Sequence, residues 1–135
     1  KAMRHTGFVK DLAANEVFVF GSNYAGRHGK GAAAQARKWG AKNGQGFGLM
    51  GRTYGIPTKG YDLRRALPLS DIRREIDKFA EFAASNPDTT FLVTEIGCGL
   101  AGYSADQIAP LFKACASMTN VVLPHSFFRV LSHGG

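Results

Sequence analysis

The sequence contains little cysteine and no long apolar run. The first feature excludes a disulfide-rich protein, and the second excludes a membrane-spanning helix. The 135 residues include two cysteines, Cys98 and Cys115, which are too few for a disulfide framework and have no CxxC spacing. No apolar run approaches the roughly 18 residues that a membrane-spanning helix needs. The segment from Lys1 to Leu12 has no apolar core of the kind found in signal peptides. We therefore predict reduced thiols, a cytoplasmic protein and no membrane segment in this chain.

Acidic residues are absent from one third of the chain, where glycine is abundant. From Val17 to Tyr61 there are seven lysines and arginines and no aspartate or glutamate, and eleven of the 17 glycines lie between Gly21 and Gly60. Glycine lets backbone N–H groups approach phosphate oxygens, and no carboxylate is present here to repel an anion. The pattern favours a site for an anionic ligand, although a basic surface loop or a nucleic-acid interface would carry the same charge.

Length and composition are those of one compact domain. Lysine and arginine number 17 against 10 acidic residues, so the net charge is +7, and the hydrophobic share of 44% is near the globular average. We predict a single domain over residues 1–135. The chain opens with Lys1 and its first methionine is Met3, which leaves open whether it is a module of a longer protein with further domains.

Alternating strand and helix patterns predict an α/β fold. The predicted strands are 17–20, 53–57, which Pro57 ends, 90–96 and 120–124. The predicted helices are 31–39, which stops at Gly40, 70–84, capped by Ser70, and a segment capped by Ser104. Segment 43–51 is predicted to be a flexible glycine-rich connection. This alternation is typical of a sandwich with a largely parallel or mixed sheet, in which ligands bind at the carboxyl ends of strands.

Two glycine-rich loops leave predicted strands and enter predicted helices. The first glycine loop, GSNYAGRHGKGAAA, runs from Gly21 to Ala34, and the second glycine loop, GCGLAGY, runs from Gly97 to Tyr103. Backbone N–H groups in such loops can hold a phosphate. The phosphate-loop motif of nucleotide hydrolases is incomplete, because the residue directly after Lys30 is Gly31 and not a serine or threonine that could bind magnesium. The dinucleotide motif of dehydrogenases is also incomplete, because no aspartate or glutamate occurs after Asp106 to bind the ribose.

Two polar residues of the first glycine loop have open interpretations. Asn23 can contact a sugar hydroxyl, or it can form a turn. His28 has no second ligand at metal spacing, so a packed or surface histidine is favoured over a metal ligand. We predict neither a metal nor a cofactor.

Two glutamates are expected to lie away from any ligand. By strand alternation Glu95 shares a face with Val93 and Gly97, so we expect its side chain to point into the sheet packing. Glu75 belongs to the charged outer face of the helix predicted over 70–84, which we expect to be solvated.

Four segments resemble the macro domain family, which binds ADP-ribose and related nucleotides. They are VFVFGSN at 17–23, HGKGAAA at 28–34, IPTK at 56–59 and IGCGLAGY at 96–103. The resemblance covers the chain from about Val17 to Leu123. It implies a three-layer α/β/α sandwich with a mixed, largely parallel sheet, and an ADP-ribose-type ligand as the partner. By analogy with bacterial macro modules, it also suggests a signal nucleotide in antiphage defence.

The resemblance implies roles for single residues. Asn23 is similar to the asparagine that contacts the distal ribose and Asp11 to the aspartate that contacts adenine. Lys59 is similar to the lysine that attacks the distal ribose in the branch that removes ADP-ribose from glutamate. The implied ligand-binding residues are Asp11, Gly21, Ser22, Asn23, His28, Gly29, Lys30, Gly31, Thr58, Lys59, Gly97, Cys98, Gly99, Leu100, Ala101, Gly102 and Tyr103.

Departures from the family pattern favour a binder over an enzyme. Ala32 and Ala101 stand where hydrolytic members carry an aspartate. Attack by Lys59 would need a partner that accepts and returns protons, and Glu95 and Asp62 are the stand-ins. We therefore predict an ADP-ribose binder or sensor in which Lys59 serves as a charge partner. A de-ADP-ribosylating hydrolase using Lys59 is the alternative, and a basic nucleic-acid module is a third possibility.

Overall fold

The computed structural model describes residues 6–133, so residues 1–5 and 134–135 of the predicted domain lie outside the described residues. Within that range the chain forms a five-stranded sheet with helices between the strands. The strands are β1 (Glu16–Asn23), β2 (Gly48–Met50), β3 (Thr53–Lys59), β4 (Thr90–Val93) and β5 (Val121–Val122). The helices are α1 (Gly31–Ala36), α2 (Leu69–Ala84), α3 (Ala105–Ile108) and α4 (His125–His133), with 3-10 segments at Arg37–Trp39 and Ala109–Cys115.

The sheet is mixed and largely parallel, as predicted. Its strand order is β2-β3-β1-β4-β5, so β1 lies at the centre. β1 pairs in parallel with both β3 and β4, β4 pairs in parallel with β5, and β2 pairs antiparallel with β3. The parallel strands β1, β3 and β4 therefore end at the same edge of the sheet, where an α/β fold places its ligand.

Alternate side chains of β1 enter two different hydrophobic clusters. Val19 is buried on one face with Phe79 of α2, whereas Phe20 is buried on the other face with Ala36 of α1. This alternation follows from the two-residue repeat of a strand, and it gives the sheet a helical layer on each face. The predicted three-layer α/β/α architecture is confirmed.

The first half of the sheet differs from the prediction in two places. β3 continues past Pro57 to Lys59. Within the described residues, β2 pairs with β3 at Thr53–Gly55 and Ala66 bridges Lys59, so Pro57 itself faces no partner strand on that edge. A residue without an N–H is tolerated at such an edge. The segment predicted as a flexible connection, 43–51, contains the short strand β2.

Helix α2 begins earlier than predicted, and one residue of its outer face is buried. Pro68, not Ser70, is the N-cap, and the N–H groups of Asp71 and Ile72 donate to the Pro68 carbonyl. Glu75 is buried, and its carboxylate accepts a hydrogen bond from the Tyr24 hydroxyl. The prediction of a solvated Glu75 was wrong, since the helical pattern does not show a partner that comes from another element.

The second half of the fold has shorter strands than predicted and an additional helix. β4 ends at Val93 instead of Ile96, and β5 is limited to Val121–Val122. Ser104 caps α3 with a complete capping box, as predicted. Helix α4 was not predicted. None of the helices formed by residues 6–133 is both long and apolar enough to cross a membrane.

Candidate functional site

A cavity of about 790 Å³ opens where β1, β3 and β4 end, and we call it the strand-end cavity. Its volume lies within the range of small-molecule sites, about 300–1,000 Å³. Three stretches of chain line it: the end of β1 with the first glycine loop, the end of β3, and the segment that follows β4. The lining residues are Gly21, Ser22, Asn23, Arg27, Gly29, Lys30, Gly31, Ala32, Ala33, Thr58, Lys59, Leu63, Thr94, Glu95, Ile96, Gly97, Cys98, Gly99, Leu100 and Ala101.

The cavity brings together all but four of the predicted ligand-binding residues. The four that do not line it are Asp11, His28, Gly102 and Tyr103. Asp11 is exposed in the segment before β1. The Tyr103 hydroxyl donates to the Leu67 carbonyl oxygen at 2.6 Å, and the Gly102 N–H donates to the Gly99 carbonyl at 3.0 Å, so both residues stabilise the second glycine loop from outside the cavity lining.

The His28 side chain anchors the first glycine loop to the protein core. Its ring is 1% exposed and meets the edge of Phe20 with 5.4 Å between centroids. Its Nε2 lies 2.8 Å from the Gln45 carbonyl oxygen. His28 is therefore a packed histidine that does not line the cavity, and the ligand contact implied by the resemblance stays a prediction.

Asn23 closes a turn at the end of β1. Its Oδ1 accepts from the Arg27 N–H at 2.9 Å, and its Nδ2 donates to the Arg27 carbonyl at 2.9 Å. The amide can make up to four hydrogen bonds, so one donor and one acceptor position remain for a ligand. Asn23 thus forms the turn and lines the cavity at the same time.

The stretch Gly29–Gly31 presents open backbone to the cavity. A Cβ added at Gly29 or Gly31 would meet no atom within 4 Å. Among residues 6–133 the N–H groups of Gly29 and Lys30 have no hydrogen-bond acceptor. Helix α1 has only six residues, so its dipole is small. An anion in the cavity would therefore be held mainly by these free N–H groups.

The second glycine loop is folded on itself and leaves donors free. The Tyr103 N–H donates to the Gly97 carbonyl at 2.9 Å, which closes the loop. No acceptor within the described part of the chain pairs with the N–H groups of Gly99, Leu100 or Ala101. Two separate sets of backbone donors therefore line one cavity.

The charged side chains of the lining favour an anion. Arg27, Lys30 and Lys59 are cationic, and Glu95 is the acidic residue in the lining. None of the three cations is within ion-pair distance of a carboxylate of residues 6–133. Unpaired cations beside free N–H groups make the cavity electropositive on the side formed by β1 and β3.

Glu95 lies elsewhere than the sequence indicated. The strand pattern predicts a side chain in the sheet packing, but β4 ends at Val93 and the side chain of Glu95 is exposed in the cavity. Its Oε2 accepts a hydrogen bond from Ser126 Oγ at 2.6 Å. The two-residue alternation of a strand does not apply at Glu95, which lies two residues past the end of β4.

Several lining residues were not predicted individually as ligand-binding residues. They include Arg27, Ala33, Leu63, Thr94 and Ile96. Arg27 is four residues after Asn23, a spacing that an asparagine turn could have suggested. Leu63 follows β3 in an irregular segment and has no local pattern.

The Cys98 thiol lines the cavity in its neutral form. Burial, followed by the nearby charge of Glu95, raises the pKa of Cys98 to about 11. A thiolate nucleophile at neutral pH is therefore not available at this position. Within residues 6–133 no group of three or more His, Cys, Asp or Glu side chains is arranged to hold a metal ion.

Comparison with known proteins gives a likeness in structure alone. No family model and no curated sequence matches the chain. The macrodomain of Mycobacterium tuberculosis DarG superimposes with a TM-score of 0.66 at 16% identity, covering 92% of this chain and 98% of that one. A protein of unknown function from Bacteroides thetaiotaomicron gives 0.61 at 16%, covering 84% and 89% of the two chains.

A third solved structure, a macrodomain protein from Streptomyces coelicolor, matches with a TM-score of 0.52 at 18% identity and covers 87% of this chain and 93% of its own. Two of these three structures are macrodomains, and each covers most of the chain. Together with the mixed sheet and its two helical layers, they show that this protein has the macrodomain fold.

Proposed function

We propose that this protein binds ADP-ribose or a nucleotide derived from it in the strand-end cavity, as a binder or sensor. The diphosphate lies between Gly29–Gly31 and Gly97–Ala101, and the distal ribose lies beside Asn23 and Lys59. A role in sensing a signal nucleotide during antiphage defence, in the cytoplasm, remains a prediction from the resemblance.

The observation that carries the proposal is the pair of free backbone N–H sets that line one electropositive cavity. A diphosphate has two anionic groups, and two separate donor sets can each hold one of them without an ionisable catalyst. The fold is that of macrodomains, and the macro domain resemblance of the sequence implies the same ligand. A mononucleotide would use one set and leave the other hydrated.

Calorimetry against ADP-ribose, ADP and AMP tests the proposal, with Gly99→Ala as the informative variant. A methyl group at Gly99 meets no protein atom within 4 Å, so it leaves the folded protein unstrained and occupies the space that a phosphate needs. We expect a loss of about 2 kcal/mol of binding free energy, the scale of leaving polar groups unpaired.

Gly7→Ala is the matched control, because its added Cβ also meets no atom within 4 Å and Gly7 is outside the cavity lining. Its affinity for ADP-ribose should equal that of the wild type. Failure of the wild-type protein to bind ADP-ribose, or equal affinity of the two alanine variants, would reject the proposed site.

Hydrolysis of ADP-ribosylated protein is a second candidate function, and the position of Lys59 favours it. The Lys59 amine lines the cavity and, within residues 6–133, forms no ion pair or hydrogen bond through its side chain. Release of ADP-ribose from modified glutamate by the wild type, together with a Lys59→Arg variant that binds but is inactive, would establish the hydrolase in place of the sensor. Nucleic acid is not expected as the ligand, because α2 has no basic face of one sign.

A further inference from the structure

Glu95 is the acidic residue in the lining of an otherwise cationic cavity, and the fold holds it there. Its carboxylate is exposed in the cavity, two residues before the second glycine loop. The Ser126 hydroxyl, in the first turn of α4, donates to Oε2 of Glu95 at 2.6 Å. This hydrogen bond joins residues 31 positions apart, so the position of the carboxylate depends on the placement of α4, which packs against α3 and the 3-10 segment Ala109–Cys115.

The strand order separates Glu95 from the cationic side of the cavity. β1 lies between β3, which carries Lys59, and β4, which Glu95 follows. Asn23 is paired with Lys59 in the register of β1 and β3, so those two residues are neighbours at one end of the cavity. Glu95 lies on the β4 side, beyond the central strand.

A carboxylate in this position selects the chemistry of its ligand group. An ionised glutamate only accepts hydrogen bonds, and it repels a phosphate. Ser126 occupies one position on Oε2, and within residues 6–133 no other donor contacts the carboxylate, so Oε1 is free. A pair of neighbouring hydroxyl groups, as on a ribose, supplies two donors and no charge.

We propose that Glu95, positioned by Ser126, accepts hydrogen bonds from the 2′- and 3′-hydroxyls of the nucleoside ribose of the ligand. This inference rests on the proposed function, because the diphosphate between the glycine loops places the distal ribose near Lys59 and the nucleoside ribose on the β4 side. The site then selects ligands with a free ribose diol and rejects those with a phosphate on the 2′-oxygen.

The test is calorimetry with ADP-ribose and with ADP-ribose that carries a 2′-phosphate on its adenosine. The wild type should bind ADP-ribose at least about tenfold more tightly than the 2′-phosphorylated ligand, which is the scale of one hydrogen bond to a charged group. Glu95→Gln keeps the shape of the side chain and removes its charge, so the ratio of the two dissociation constants should fall by about tenfold. Ser126→Ala should lower the ratio by a smaller factor, because the carboxylate stays but is less well oriented.

Glu81→Gln is the matched control, since Glu81 is an exposed glutamate of α2 outside the cavity lining, and its ratio should equal that of the wild type. The inference is overturned if the wild type does not discriminate between the two ligands, or if Glu95→Gln discriminates as well as the wild type. In either case binding of ADP-ribose itself would leave the proposed function standing. Absence of any ADP-ribose binding by the wild type would instead reject the proposed function and this inference with it.

Discussion

Two glycines, Gly46 of the bracing segment (residues 43–46) and Gly29 of the cavity lining, serve opposite purposes. The bracing segment lies under the first glycine loop, where the Gly44 N–H donates to the Gly26 carbonyl at 2.9 Å and the Gly46 carbonyl accepts from the Ser22 hydroxyl. A Cβ at Gly46 would overlap the carbonyl oxygen of Asn23, whereas a Cβ at Gly29 would meet nothing within 4 Å. The high glycine content thus has two causes, close packing of backbone on backbone and open access for a ligand.

The largest effect that this comparison predicts is on stability. Gly46→Ala forces a methyl group into the backbone of Asn23, which no rotamer change can relieve. We expect a loss of about 3 kcal/mol or more in the free energy of unfolding, at the upper end of overpacking. Urea denaturation followed by circular dichroism measures it, with Gly7→Ala as the neutral control. A midpoint equal to that of the control would show that the bracing segment can move aside.

The opposite result is predicted at the cavity. Gly29→Ala should leave the urea midpoint unchanged, because the added methyl group is in open space. It should weaken ADP-ribose binding by about 2 kcal/mol, because it blocks the approach of a phosphate to the backbone. Calorimetry and denaturation on the same preparation separate the two effects. A variant that is destabilised but binds normally would place Gly29 with the structural glycines.

The sequence was sufficient to predict four of the five strands that residues 6–133 form, the two glycine loops and the edge of the sheet at which they meet. Hydrophobic alternation in β1 and the Ser104 cap are local signals, and both loops follow strands that the pattern identified. The predicted loop residues that line the cavity were found for this reason.

What the sequence could not show depends on contacts between distant segments. Three hydrogen bonds each join positions 24 or more apart. They connect Ser22 with Gly46, Tyr24 with Glu75, and Ser126 with Glu95. No local pattern encodes such pairings. The Glu95 error also shows that strand alternation gives no information once the strand has ended.

A smaller effect on affinity is expected from Lys59, which extends the comparison from backbone to side chains. Lys59→Ala removes a cation from the cavity, and we expect a loss of about 1.5 kcal/mol in ADP-ribose binding, the lower range for a hydrogen bond to a charged group. Lys59→Arg keeps the charge and should restore part of the affinity. Titrations at low and high salt should show that the difference narrows as salt increases. Equal affinity of wild type and Lys59→Ala would leave recognition of the diphosphate to the backbone donors alone.

The smallest predicted effect decides to which of the two groups Asn23 belongs. Asn23→Ala removes both hydrogen bonds to the Arg27 backbone as well as the amide positions that face the cavity. Loss of the contact with the distal ribose should cost about 1 kcal/mol for ADP-ribose and much less for ADP, which has no distal ribose. Damage to the turn would instead weaken the binding of both ligands equally, because each ligand places its diphosphate against the same loop. Calorimetry with the two ligands therefore separates the roles: a larger loss for ADP-ribose assigns Asn23 to the ligand, and equal losses assign it, like Gly46, to the architecture that holds the loop in place.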